Sequence, residues 1–308
     1  MPPTKVGVGR SAALSDTGRK RRQNEDAFVC EPPLFAIADG MGGAQAGEVA
    51  SRLAAAVFEE GAAAVQGEDG VATVVRAANA RIFERAVHDP AVAGMGTTAT
   101  VAVVDEAAAT VTLAHVGDSR AYLYRLGSLE QLTTDHSLVG ELVRSGRLTE
   151  DEAAVHPHRS VITRALGTDA DVEVDTLTLD VAPGDLLLLC SDGLSAMMRD
   201  DGIVRVLETT GGAPREAAEA LVQAANAAGG EDNVTVVLFE LVDAGAEAPP
   251  TLVPDLDVED EDDTGPDGPT LEDVSRHGAG QGSRWPALLL LLAILAAGAV
   301  ALWWSFVR

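Results

Sequence analysis

Between Val6 and Leu241 the chain alternates short runs rich in Val, Leu and Thr with longer stretches whose apolar residues recur at every third and fourth position. The first pattern predicts strands and the second predicts amphipathic helices. Strands are expected at Val6–Ala13, Ala27–Cys30, Leu34–Ala38, Thr98–Val104, Thr110–Val116, Ala121–Arg125, Val172–Leu179, Asp185–Cys190 and Val234–Leu241. Helices are expected at Ala46–Ala64, Val71–Val87, Ser137–Ser145, Ile203–Glu208 and Arg215–Ala228. The helices fall in pairs between groups of strands, without a strict strand–helix–strand rhythm. That order favours an antiparallel α+β sandwich over a doubly wound parallel sheet.

Three of the apolar runs end on a carboxylate: "LFAIADGMGG" at Asp39, "LAHVGDSR" at Asp118 and "LLLLCSDG" at Asp192. Asp232 stands just ahead of another run, in "GGEDNVTVVLFEL", and Glu25 and Asp26 stand ahead of a fifth, in "RRQNEDAFV". Any one of these has an ordinary explanation, because Asp-Gly is a common turn pair. Together they suit a hard divalent cation, which takes oxygen ligands. Several carboxylates held close together otherwise repel and raise one another's pKa. Gly40 and Gly193, directly after two of the aspartates, would let a backbone carbonyl approach such an ion.

The net charge of −26 excludes a nucleic-acid-binding surface of the usual basic kind. Cys30 and Cys190, the two cysteines, lie within apolar runs and read as small buried side chains rather than a disulfide framework. The first residues hold no apolar core of signal-peptide length. No G-x-x-x-x-G-K-[ST] loop and no G-x-G-x-x-G after a strand is present.

Past residue 243 the composition changes. Residues 244–284, including "DLDVEDEDDTGPDGPTLED", are acidic and rich in Pro and Gly, and are expected to form a disordered linker. Residues 285–308, "WPALLLLLAILAAGAVALWWSFVR", carry no charge from Pro286 to Val307 and have tryptophans at both ends. That is the pattern of a single transmembrane helix. Arg276 and Arg284 before it and only Arg308 after it favour a cytoplasmic N-terminal side, so a cytoplasmic domain of residues 1–243 tethered to the inner cell membrane is expected.

The ordered set "RKRRQNEDAF", "IADGMGG", "GMGTTATV", "HVGDSRAYL", "DHSLVGELVRSGRLTEDEA", "HPHRSVITRALG", "LLCSDGLS" and "GGEDNVTVV" resembles the bacterial branch of the metal-dependent PPM (PP2C-type) protein serine/threonine phosphatases, over roughly Val6 to Leu241. The resemblance implies a PP2C-like α-β-β-α sandwich: two antiparallel sheets face to face, with helices outside. It implies that Asp39 bridges two Mn²⁺ or Mg²⁺ ions, that Gly40 gives its carbonyl to one, and that Asp192 and Asp232 hold the other. Asp118, with Asp192, resembles the site of a third ion in bacterial members, to which Ser160 matches a further contributor. Glu25 and Asp26 match positions that hold metal-bound water. Arg21 stands where the family keeps a phosphate-binding arginine, with Arg22 as its immediate rival in the "RKRR" run. Met41 occupies a position where animal relatives carry a histidine proposed as general acid, as is common in the bacterial branch.

Such a site would hydrolyse phosphoserine and phosphothreonine through a metal-bridged hydroxide, with no phosphoenzyme and no role for either cysteine. The resemblance further implies phosphoprotein partners, with transmembrane Ser/Thr kinases and their substrates expected at the membrane. His136, His156 and His158 fall in Asp135–His158, the segment resembling the family's flap, and read as flap or surface residues. The alternative is a catalytically inactive regulator that keeps the fold to bind phosphoproteins.

Overall fold

The computed structural model describes residues 5–42, 46–62 and 65–244. The expected linker and transmembrane helix lie outside the described residues. Among the described residues no helix is long and apolar enough to cross a membrane.

Among the described residues, eleven strands form two antiparallel sheets. The first is ordered β1 (Val6–Asp16), β11 (Val234–Asp243), β10 (Leu186–Cys190), β7 (Arg120–Arg125) and β8 (Ser128–Gln131). The second is ordered β2 (Asp26–Glu31), β3 (Leu34–Met41), β5 (Ala99–Asp105), β6 (Thr110–Val116) and β9 (Asp175–Asp180), with the two-residue β4 (Gly96–Thr97) paired to the end of β3. Helices α1 (Ala46–Gly61) and α2 (Gly67–His88) belong to the second sheet, and α6 (Asp200–Thr209) and α7 (Pro214–Ala228) to the first. Short helices α3 (Leu138–Arg144), α4 (Glu150–Ala154) and α5 (Asp192–Ser195) lie in the connections.

Period-two alternation sorts the apolar side chains into three core layers. From β10, Leu187 and Leu189 enter the layer between the sheets, while Leu186, Leu188 and Cys190 face α6 and α7. From β3, Phe35 and Ile37 enter the layer between the sheets, while Leu34, Ala36 and Ala38 face α1 and α2. An unbroken apolar run is therefore what a strand covered on both faces requires. Phe35 and Phe239 stack across the middle layer with ring centroids 3.9 Å apart. The expected α+β sandwich is the observed architecture, and two expectations change in detail. β3 runs through Asp39 and Gly40 to Met41, because β4 continues its ladder with Gly40 opposite Thr97. Asp192 opens α5 rather than a simple turn.

Candidate metal centre

The strand ends that carry the carboxylates meet at one end of the sandwich. Antiparallel pairing sets Asp26 directly opposite Asp39 on β2 and β3. Pairing of β10 with β11 brings the residues after Cys190 beside those before Val234, so Asp192 and Asp232 become neighbours. Asp118 sits in the β6–β7 connection. Hydrogen bonds stitch the two sheets here: the Ser191 and Thr235 hydroxyls donate to Asp26 Oδ2 at 3.0 and 2.6 Å, and the Glu25 amide donates to Asn233 Oδ1 at 2.8 Å. Thr98 receives the Asp39 amide on its hydroxyl, and that hydroxyl shares a hydrogen bond with Ser119, next to Asp118.

The electrostatics record this crowding. Burial pushes the Asp118 carboxyl up to about 8, and the charges of Asp192 and Asp135 add to it. Burial pushes Asp26 up to about 7, against its two hydroxyl hydrogen bonds and with help from Asp192 and Asp232. Asp192 rises to about 6 through burial and Asp232, opposed by a hydrogen bond with Asp39 and by Arg21. Asp39 lies well above the usual carboxylate range, first from burial and then from Asp26, Asp192, Asp118 and Asp232 in turn. Glu25 is also raised, by burial, against the pull of Arg21. Asp26 Oδ1, Asp118 Oδ1 and Asp192 Oδ1 are buried without a hydrogen-bond partner. Buried oxygens are rarely left so, and a bound cation is one of the few groups that satisfies several at once.

Among the described residues no three His, Cys, Asp or Glu side chains are arranged to hold a metal ion unaided. Asp232 Oδ2 accepts from Arg21 at 2.7 Å and its Oδ1 from the Asn233 amide at 2.8 Å, so both of its oxygens are engaged within the protein. The donor set otherwise fits hard divalent cations: carboxylate oxygens, three of them without a partner, within a cluster whose charges destabilise one another.

Of the two arginines weighed for phosphate, Arg21 is the one that reaches the cluster; Arg22 makes no ion pair among the described residues. Ser160 is exposed beyond α4, beside Arg159, which pairs with Glu231 at 3.0 Å. His136 corrects the surface reading of the flap histidines, because it is 4% exposed. Its Nδ1 accepts from the Gly117 amide at 3.0 Å, its Nε2 meets Asp175 at 3.1 Å, and its ring packs on His115. It thus ties the start of the flap to the loop that carries Asp118. His156 and His158 stay at least partly exposed, as expected. Cys190 is fully buried and its thiol is pushed up to about 12 by burial, whereas Cys30 is only half-buried. Thr98, Ser119, Ser191 and Thr235 were not legible as site residues. Each is a small hydroxyl in or beside an apolar strand, a common pattern with no chemical signature.

A cavity of about 510 Å³ lined by Tyr124, Asp185, Leu186 and Leu241 lies at the opposite end of β10 and β11, away from these carboxylates.

An α-β-β-α sandwich with an acidic, cation-compatible cluster at one end of both sheets defines the class. Residues 17–234 match the model of the Protein phosphatase 2C family, and the chain belongs to that family. It is 44% identical over 239 residues to the serine/threonine protein phosphatase PstP of Mycobacterium tuberculosis, covering 77% of this chain and 46% of that one. The chain thus spans about half the length of that relative. It is 40% identical over 238 residues to the serine/threonine phosphatase stp of Listeria welshimeri, covering 73% of this chain and 93% of the other. A solved structure of the PstP catalytic domain in complex with two manganese ions superposes with a TM-score of 0.70 at 40% identity, covering 77% of this chain and all of that one.

Proposed function

We propose that the chain is a metal-dependent protein serine/threonine phosphatase that acts at the cytoplasmic face of the inner cell membrane. The observation that carries the reading is the convergence of Asp26, Asp39, Asp118 and Asp192 with three partnerless buried oxygens. Asp39, the Gly40 carbonyl, Asp192 and Asp232 would hold two manganese or magnesium ions, with Asp118 and Ser160 available to a third. Bound there, the ions would supply positive charge that makes water nucleophilic at neutral pH and offsets charge on the phosphoryl oxygens.

The chain's own groups do the rest. Arg21, which reaches the cluster through its ion pair with Asp232, would pair with two phosphoryl oxygens and orient the ester. Asp26 is fixed by Ser191 and Thr235, leaving its Oδ1 to hold a water at the cluster's edge. Met41 has no proton to donate, so the leaving oxygen must be protonated by another group. Membrane-bound phosphoproteins, transmembrane Ser/Thr kinases and their substrates among them, are the proposed partners. The apolar stretch 285–308 supports this, because tethering raises local concentration.

One experiment tests the whole reading. In cells expressing the full chain, hydrolysis of a phosphothreonine peptide should sediment with membranes, require Mn²⁺ or Mg²⁺ and stop with EDTA. Asp39→Asn should lower it by at least about 100-fold. Metal-loaded protein without turnover would favour the inactive regulator, and activity in the soluble fraction would remove the anchor.

A further inference from the structure

The loop between β1 and β2 presents Arg19, Lys20 and Arg22 on either side of Arg21. In a chain with net charge −26, most arginines elsewhere are matched by carboxylates, as Arg10 is by Glu240, Arg125 by Asp185, Arg164 by Asp175 and Arg199 by Asp151. Lys5, Arg76, Arg144 and Arg147 make no ion pair among the described residues but do not cluster in one loop. Arg19, Lys20 and Arg22 are exposed, and among the described residues their side chains make no ion pair or hydrogen bond. The nearby carboxylates Glu231 and Asp232 are already taken by Arg159 and Arg21.

The backbone beneath these cations is fixed. The Arg19 and Lys20 amides both donate to the Gly230 carbonyl, at 2.7 and 3.2 Å, and the Gly18 amide donates to Asp16 Oδ1 at 2.8 Å. Gly18 has φ +80° and lies so close to the Asp232 carbonyl that a Cβ would collide with it. The backbone of Arg19 and Lys20 is thereby pinned to the loop that carries Asp232, at the rim of the metal centre.

We propose that Arg19, Lys20 and Arg22 form a docking rim for acidic residues flanking the phosphorylated residue of a protein substrate. The proposal deepens the phosphatase reading and rests on it. With the backbone already held, meeting a carboxylate costs these cations side-chain rotamer freedom but no loop ordering, and their charge steers an acidic ligand toward the site. The run spans at most about 11 Å of chain, the reach of two or three extended peptide residues. An anionic membrane surface is usually met by a broader cluster of about four to eight cations.

The test uses the full chain with Mn²⁺ and phosphothreonine peptides of one length whose flanks are acidic, neutral or basic. At low salt the acidic peptide should show a kcat/KM roughly tenfold above the neutral one, and added salt should narrow the gap. Arg19→Gln with Lys20→Gln should bring the acidic peptide down to the neutral one's value. Equal kcat/KM for all three peptides, or a preference that survives the double substitution, overturns the proposal. So does binding to phosphatidylserine vesicles without any discrimination among peptides. If no phosphoester is turned over, the phosphatase reading falls. Fluorescence anisotropy of the same labelled peptides then decides the rim by itself: tighter binding of the acidic peptide that is lost in the double variant supports it, and equal binding overturns it.

Discussion

His115 shows what burial does to one ionisable group. It is 3% exposed, shares a hydrogen bond with Thr100 through Nδ1 and has Nε2 3.2 Å from the Thr134 carbonyl. Burial, and then the neighbouring His136, lower it to about 4. Below the ordinary histidine value of about 6.5 the unfolded chain takes up a proton that the folded chain refuses, so stability falls with pH down to about 4 and then levels. The loss attributable to this ring is about 3 kcal/mol. Urea unfolding at pH 7 and pH 4.5 should show the dependence, and His115→Gln should flatten it; an unchanged slope would place the acid sensitivity elsewhere. The same physics acts with opposite sign on Asp26, Asp39, Asp118 and Asp192, whose raised pKa values are the cost of a site built for cations. Residue identity at these four positions was legible in the sequence. Their protonation was not, because it depends on neighbours far away along the chain.

At the scale of elements, the glycines after the aspartates have a second use that only packing reveals. A Cβ on Gly40 would strike the backbone carbonyls of Gly47 and Glu25, and a Cβ on Gly193 would strike the Asn233 carbonyl. Gly40 therefore lets the start of α1 lie against β3, and Gly193 lets α5 lie against the segment leading into β11. Gly40→Ala should destabilise the fold by about 1–3 kcal/mol as backbone is forced apart. Thermal unfolding of the metal-free protein measures it, and a shift within about 0.5 kcal/mol would show that α1 gives way without strain. Most strands and helices were read from periodicity to within a few residues. The short β4 and β8 were missed, since Gly96–Thr97 and Ser128–Gln131 carry no apolar alternation of their own and exist only as partners of β3 and β7. The helices α4 and α5 are too short for periodicity to register.

For the molecule as a whole, the layer between the sheets makes the site possible. The Phe35–Phe239 stack joins β3, which carries Asp39, to β11, which follows Asp232. Phe239→Ala should cost about 3–5 kcal/mol and lower the single unfolding midpoint of both sheets together. Separate transitions seen by fluorescence and circular dichroism would mean that the sheets are stable independently. The sequence by itself determined the α+β class, the alternating faces of each strand and the set of carboxylates at or beside strand ends, because periodicity and residue chemistry are local properties. Only the tertiary structure decided that those carboxylates meet and that Arg21 rather than Arg22 holds Asp232. It alone put His136 inside and made Gly40 and Gly193 contact points. Each of these follows from which surfaces are buried against which, and burial joins residues whose separation in the chain bears no relation to their distance in space.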